Sequence, residues 1–364
     1  MKKMLIVCIV TVVIISSCSY PIVEGSMENA SLLDFFFYIY KIVFGPISRD
    51  YDEKAFTLEE VNEYDFTMTV FGDIMFYSPL LNCDELFKEV PSELLESDLV
   101  FTNLEFPVHD KKPTSGFPWF NGSLEYFEKI VLPLNPDVLN LANNHCFDKD
   151  IEGLSETVSL LDRYNIESIG LKRDNRFSVV NINGISVALS GYTYGTNVAK
   201  DKGNEIINIS RLNAVNLYTE DFSEIKSVIR RMKEVNDVII LSLHWGLEYE
   251  LTPTKNQVEL ARMLCDEGVD ILIGHHPHVL QPIEQYENKR GTTSLIIYSL
   301  GNWTTAMIKK YCRVNSPLKL YVTSKGKITK IEAFPFIFDR QGKRFLKLED
   351  TSLIPQSIAS FVIW

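Results

Sequence analysis

Ile271-Leu272-Ile273-Gly274-His275-His276-Pro277-His278 changes character half-way along. Three aliphatic residues with no polar alternation suit a strand buried on both faces, the kind found in parallel sheets covered by helices. The polar half then falls at the carboxyl end of that strand, where open α/β sheets present their ligands. Outward from this stretch the pattern repeats. Thr67 to Phe71 runs into Gly72-Asp73, Leu99 to Thr102 into Asn103-Leu104-Glu105, and Asp137 to Ala142 into Asn143-Asn144-His145. Val238 to Leu243 runs into His244-Trp245-Gly246, and Ser294 to Ser299 into Gly301-Asn302. Amphipathic spacing predicts helices over Ser123 to Val131, Ile151 to Tyr164, Asp221 to Val235 and Lys255 to Glu267. Asn183-Gly184 between alternating runs predicts a hairpin, and Lys325-Gly326-Lys327 a second. A layered α/β domain over 65–338 is expected, with a C-terminal tail over 339–364.

The 364 residues are ample for a buried core, with 46% apolar and 23% charged residues. Those proportions exclude a disordered chain and a polytopic membrane protein. A formal charge of −12 excludes a phosphate-tracking nucleic-acid binder, so no nucleic-acid partner is expected.

The N-terminus reads as an address. Lys2 and Lys3 precede an apolar run, Met4 to Ile15, too short to span a bilayer comfortably. Ile15-Ser16-Ser17-Cys18 closes it in the manner of a bacterial lipobox, which makes 1–18 a lipoprotein signal and Cys18 the acylated anchor. The expected product is an exported cell-membrane lipoprotein facing outside the cytoplasm. Residues 19–64 then form an arm, within which 31–47 suits either an interfacial helix or a segment packed on the main domain. Cys83, Cys146, Cys265 and Cys312 match no zinc spacing; they suit buried free thiols or any of three disulfide pairings.

Five of the six histidines fall at the polar strand ends, and only His109 does not. Carboxylate, carboxamide and imidazole together suit a divalent transition metal, Mn, Fe or Zn, over the all-oxygen preference of Ca or Mg. Side chains at i and i+2 of an extended segment share a face, which pairs His276 with His278 and turns His275 away. Pro277 favours the extended geometry at His276.

In order along the chain, Gly72-Asp73, Asn103-Leu104-Glu105, Asn143-Asn144-His145 with Gly153-Leu154, His244-Trp245-Gly246 with Glu248-Tyr249, Gln257, Gly274 to His278 and Gly301-Asn302-Trp303 resemble the CapA family of poly-γ-glutamate capsule biosynthesis proteins. That family is similar to calcineurin-like metallophosphoesterases, which implies a four-layer α/β/β/α sandwich. The resemblance assigns Asp73, Glu105, Asn144, His244, His276 and His278 to a metal centre of one or two ions. It makes His145 the catalytic imidazole that protonates a leaving oxygen. Asn103, Asn143, Glu248, His275 and Asn302 are then expected to touch substrate or brace the ligands. The sequence departs from the phosphoesterase pattern at Ile74-Met75, where one first-site imidazole is missing, and at Glu105, where a shorter aspartate would bridge two ions.

The implied function is a metal-dependent, phosphoesterase-like hydrolase of capsule or cell-envelope polymer biosynthesis. Its substrate would be an anionic polymer or a phosphoester. The alternative is a non-catalytic assembly or export subunit that binds poly-γ-glutamate and membrane-borne capsule synthase or export proteins. A polyanion would need local cations, for which Lys309, Lys310 and Arg313 are candidates, and Trp245 and Trp303 suit either substrate contact or core packing.

Overall fold

The computed structural model describes residues 40–41, 43–48, 50–58, 63–172, 175–197 and 222–363. The signal over 1–18, Cys18 and most of the 31–47 segment lie outside the described residues.

Among the described residues the chain builds two large sheets, which pack face to face, and a third, three-stranded one. The first contains β1 (Phe66–Ile74), β2 (Leu99–Leu104), β3 (Val138–Asn140) and β4 (Glu167–Ile169), all parallel. The second contains β5 (Ser178–Ile182), β6 (Ile185–Thr193), β7 (Val238–His244), β8 (Ile271–His275), β9 (Ile283–Glu287) and β10 (Thr293–Ile297). Its middle strands β6, β7, β8 and β10 are parallel, with antiparallel β5 and β9 at the edges. Then β11 (Asn302–Thr304) returns to the first sheet, and β12 (Val314–Asn315) leads into the hairpin β13 (Leu318–Val322) and β14 (Ile328–Ala333) beside β1. Both turns marked by Asn183-Gly184 and Lys325-Gly326-Lys327 are hairpins.

Alternate side chains divide between two faces of each strand. Met68, Val70 and Phe101 meet Val187, Ile240, Ile271 and Ile273 between the sheets. On the outer face of the first sheet, Phe71, Val100 and Leu139 pack with Leu160 and Leu161 of α2 (Asp150–Arg163) and with Tyr126 of the one-turn α1 (Leu124–Tyr126). On the outer face of the second, Ile239, Leu241 and Leu272 pack with Ile225 and Ile229 of α3 (Ser223–Val235) and Leu260 and Leu264 of α4 (Lys255–Glu267). Helix, sheet, sheet and helix form the four-layer α/β/β/α sandwich. Each such fully buried aliphatic or aromatic side chain contributes about 1.5–3 kcal/mol of apolar transfer.

Three details differ from the sequence reading. The helix expected over Ser123 to Val131 begins with Ser123 capping the Tyr126 N–H at 3.1 Å, then widens into a π turn over Phe127–Val131. Pro133, four residues beyond Lys129, has no N–H to continue the α-helical ladder. Residues 339–363, read as a tail, include β16 (Arg344–Lys347), paired with β15 (Phe336–Asp339), and the short helix α5 (Gln356–Ala359). Phe345 and Ile358 from this stretch are buried in the two cores of the first sheet. Gly301-Asn302 does not extend the sixth strand: the chain crosses there between sheets, and Asn302 sits opposite Asp73.

The described end of the 31–47 segment packs on the domain. Lys41 Nζ lies 3.0 Å from Glu250 Oε1, both side chains being buried, and Ile47 pairs with the backbone beside Glu250. Cys83, Cys146, Cys265 and Cys312 are free thiols. Among the described residues, no helix is long and apolar enough to cross a membrane.

Candidate metal centre

The carboxyl ends of β1, β2, β7 and β8, with the loop after β3, converge on one buried cluster. Three overlapping sets of donors form there, each with its donor atoms within 4.8 Å of one another: Glu105, His244 and His276; Asp73, Glu105 and His278; and Glu248, His276 and His278. Glu105 belongs to two sets, and His276 and His278 to two each. Asn144 Oδ1 is 2.8 Å from His244 Nε2, which brings the carboxamide to the same place.

The polar atoms of this cluster are left without hydrogen-bond partners to a degree that protein interiors rarely tolerate. Both carboxylate oxygens of Glu105, Nδ1 of His244 and both ring nitrogens of His276 are buried and unpaired. Burial first, and then the Asp73, Glu248 and Asp148 carboxylates, push Glu105 well above the usual carboxylate range. Burial also raises Asp73, but the His275 imidazole, with His278 and the His276 backbone N–H, holds it below its ordinary value. His244 and His276 are driven well below theirs by burial and by neighbouring imidazoles, which keeps both rings neutral. Neutral imidazoles and crowded carboxylates are the donor set a divalent cation relieves, so the residues present fit a metal.

A second ring of contacts orients these donors. Asn302 Oδ1 lies 2.8 Å from His278 Nδ1, and Asn302 Nδ2 donates to the His278 and Cys312 carbonyls at 3.2 and 3.0 Å. Asn103 Nδ2 donates to Asp73 Oδ1 at 2.9 Å, and Asn143 Nδ2 to the Leu104 carbonyl at 2.8 Å. Such partners fix ring tautomer and carboxylate orientation. His145 stands at the edge of the cluster, its Nδ1 2.6 Å from Asp148 Oδ2 and its backbone N–H donating to Asn143 Oδ1 at 3.1 Å.

Two parts of the sequence reading are corrected. The segment after β8 is not extended: φ is +97° at His276 and +57° at His278. The two rings nevertheless lie 5.7 Å apart, because a pair of left-handed residues bends the loop over the strand ends and brings both into the cluster. His275 does not turn away either; as the last residue of β8 it places Nδ1 2.8 Å from Asp73 Oδ1.

The family described as "Bacterial capsule synthesis protein PGA_cap" matches residues 67–306, which span every donor of this cluster. This chain belongs to the PGA_cap family. It is 32% identical over 278 residues to "Capsule biosynthesis protein CapA" of Bacillus anthracis, covering 68% of this chain and 64% of that protein. It is 29% identical over 259 residues to "PGA biosynthesis protein CapA" of Bacillus subtilis (strain 168), covering 66% and 64%. The chain thus spans under two-thirds of the length of both relatives. A solved 5'-nucleotidase precursor from Thermus thermophilus aligns with 77% of this chain and 56% of its own at 13% identity and a TM-score of 0.41.

Several residues of the motifs quoted from the sequence serve packing. Trp245 is buried, stacks on Tyr298 and donates to its carbonyl at 3.1 Å; Trp303 is buried among Phe71, Phe336 and Phe345. Gln257 closes a capping box with Thr254 at the start of α4 and lies where a Cβ on Gly246, at φ +86°, would stand. Arg313 donates to the Phe338 carbonyl at 2.7 Å, and Lys309 to that of Val43 at 3.1 Å. The sequence reading missed Asp148, although a carboxylate three residues after His145 was a visible signal. It also missed Asn197, whose Nδ2 is 3.1 Å from His145 Nδ1 and whose Oδ1 accepts from Asn144 at 3.3 Å, and for which no signal existed. Glu248, read as outside the ligand set, shares a donor group with His276 and His278.

Proposed function

We propose that this PGA_cap chain is a membrane-anchored, metal-dependent hydrolase of capsule or cell-envelope polymer synthesis, with poly-γ-glutamate or a phosphoester precursor as the substrate class. The observation that carries the enzymatic reading is the set of buried donors without partners around Glu105, His244 and His276. A purely structural core would not retain them, since each unpaired buried polar group costs about 1–3 kcal/mol. Asp73, Glu105, Asn144, His244, His276 and His278, joined by Glu248, would hold one or two divalent ions. The chemistry such ions supply is Lewis-acid stabilisation of negative charge on a phosphoryl or acyl oxygen.

The chain's own residues do the rest. Asp148 accepts at His145 Nδ1 and fixes the orientation of the ring, which leaves Nε2 as the nitrogen that would pass a proton to a leaving oxygen. Burial raises the Asp148 carboxyl while His145 opposes the rise, and the Phe120 N–H donates to its Oδ2 at 2.7 Å. That carboxylate is therefore held on two sides, and the imidazole with it. Asn302 and His275 keep His278 and Asp73 aimed at the same point.

Metal analysis and turnover of a generic phosphodiester, for the wild-type chain and Asp73→Ala, test this reading. Bound Mn, Fe or Zn with turnover in the wild type, and loss of both in the variant, is the expected result. Turnover that survives Asp73→Ala, or a wild-type chain that binds metal and turns over no phosphoester, amide or ester, favours the assembly-subunit alternative.

A further inference from the structure

We propose that the helical residues Tyr40, Lys41, Val43 and Phe44 and the loop 306–311 form one surface that seats on an anionic lipid bilayer and holds the metal centre beside it. Tyr40 and Phe44 are 48% and 50% exposed, with ring centroids 4.7 Å apart, and Val43 is exposed beside them. Lys309 Nζ donates to the Val43 carbonyl at 3.1 Å and joins this turn to the loop, where Ile308 is 74% exposed and Tyr311 is exposed as well. Aromatic and aliphatic side chains interleaved with lysine are the composition of an interfacial anchor: the rings enter the headgroup layer while the ammonium groups of Lys309 and Lys310 stay at its edge. In a chain of formal charge −12 the exposed Lys309 and Lys310 are the part of this surface that suits anionic headgroups.

The position of the surface also selects this partner. The 39 residues before Tyr40, with the apolar run Met4 to Ile15 and Cys18, directly precede this turn in the sequence. Cys18 to Tyr40 reaches about 75 Å when extended, so the tether alone does not orient the domain. A surface at the tether's end does. It borders the centre twice, through Lys41 on Glu250, two residues from Glu248, and through Asn302 on the Cys312 carbonyl.

This inference rests on the membrane attachment proposed above and is independent of the metal chemistry. The full chain is reconstituted with vesicles of phosphatidylglycerol and phosphatidylcholine carrying brominated acyl chains. Ile308→Trp is compared with Val235→Trp, an exposed site just before β7 begins and hence at the opposite edge of the second sheet. The wild-type emission is subtracted. Ile308→Trp is expected to lose emission to the brominated lipid while Val235→Trp does not, and Lys309→Glu with Lys310→Glu is expected to restore it. Flotation with the vesicles but equal emission from both variants overturns the docking and leaves the tether standing. Failure to float overturns both. Quenching that ignores the charge reversal, or persists in purely zwitterionic vesicles, overturns the anionic partner. Shielding of Ile308→Trp from aqueous iodide without lipid assigns the surface to a second copy of the chain and overturns the bilayer.

Discussion

His276 and His278 hold backbone angles that cost a residue with a Cβ about 1–3 kcal/mol each, and the strain sits where donors must converge from a loop. Contacts beneath the cluster keep it there. Asp73 Oδ2 accepts from the His276 backbone N–H at 3.1 Å, so the same carboxylate that faces the donors also pins the strained residue. Two predictions belong to this scale. His276→Ala and His278→Ala should abolish metal retention in dialysis, whereas His275→Ala should weaken affinity only about 10–100-fold, as expected of a residue that orients a ligand. Loss of metal from His275→Ala as complete as from His276→Ala would make His275 a ligand. His145→Ala should keep its metal and lose roughly 10²–10⁴-fold in rate, with a smaller loss for substrates that have good leaving groups. Asn144→Ala should instead lose occupancy. If His145→Ala loses metal as readily as His244→Ala, the proton donor must be sought elsewhere.

Among the elements, the crossing from β10 to β11 does most to complete the site. It carries Asn302 from the second sheet into the first, opposite Asp73, and sets the Gly301 carbonyl against β1, where it accepts from the Asp73 backbone N–H at 2.9 Å. A Cβ on Gly72 would overlap that carbonyl oxygen, and both partners are backbone, with no flexible side chain to yield. Gly72→Ala should therefore cost roughly 3 kcal/mol and displace Asp73 and Asn302 together. Thermal unfolding and metal titration of one preparation check this. A variant with wild-type melting temperature and metal affinity would show that the crossing adapts at little cost.

At the scale of the whole molecule, the two sheets meet through an apolar interface, yet at their carboxyl edge they are joined by donors that repel or desolvate one another. A divalent ion bound only by the folded state stabilises it by mass action, by about 2.7 kcal/mol at a hundredfold excess over its Kd. Manganese or zinc should raise the melting temperature of the wild-type chain by several degrees, and chelator should reverse the rise. Asp73→Ala should show no rise, and His145→Ala should retain it. A wild-type melting temperature indifferent to every divalent transition metal would count against the centre.

The layered architecture was legible in the sequence because strand burial and helix amphipathicity are local patterns: the aliphatic run at Ile271 to Ile273 and the polar residues at its end lie within eight positions of one another. The hairpin at Asn183-Gly184 was legible for the same reason, since left-handed turn geometry is written in the residues that tolerate it. Asp73, Glu105, His244, His276 and His278 could be assembled from their places at strand ends and from the family likeness. The conformation of His276 and His278 could not, because Pro277 biases its neighbour only weakly and long-range contacts with Asp73 override it. Nor could the roles of Trp245, Trp303 and Asn197 be read in advance. Each depends on which distant segment lies alongside, Tyr298 for Trp245 and Phe345 for Trp303, and that adjacency exists only once each sheet and the layer on its outer face have assembled.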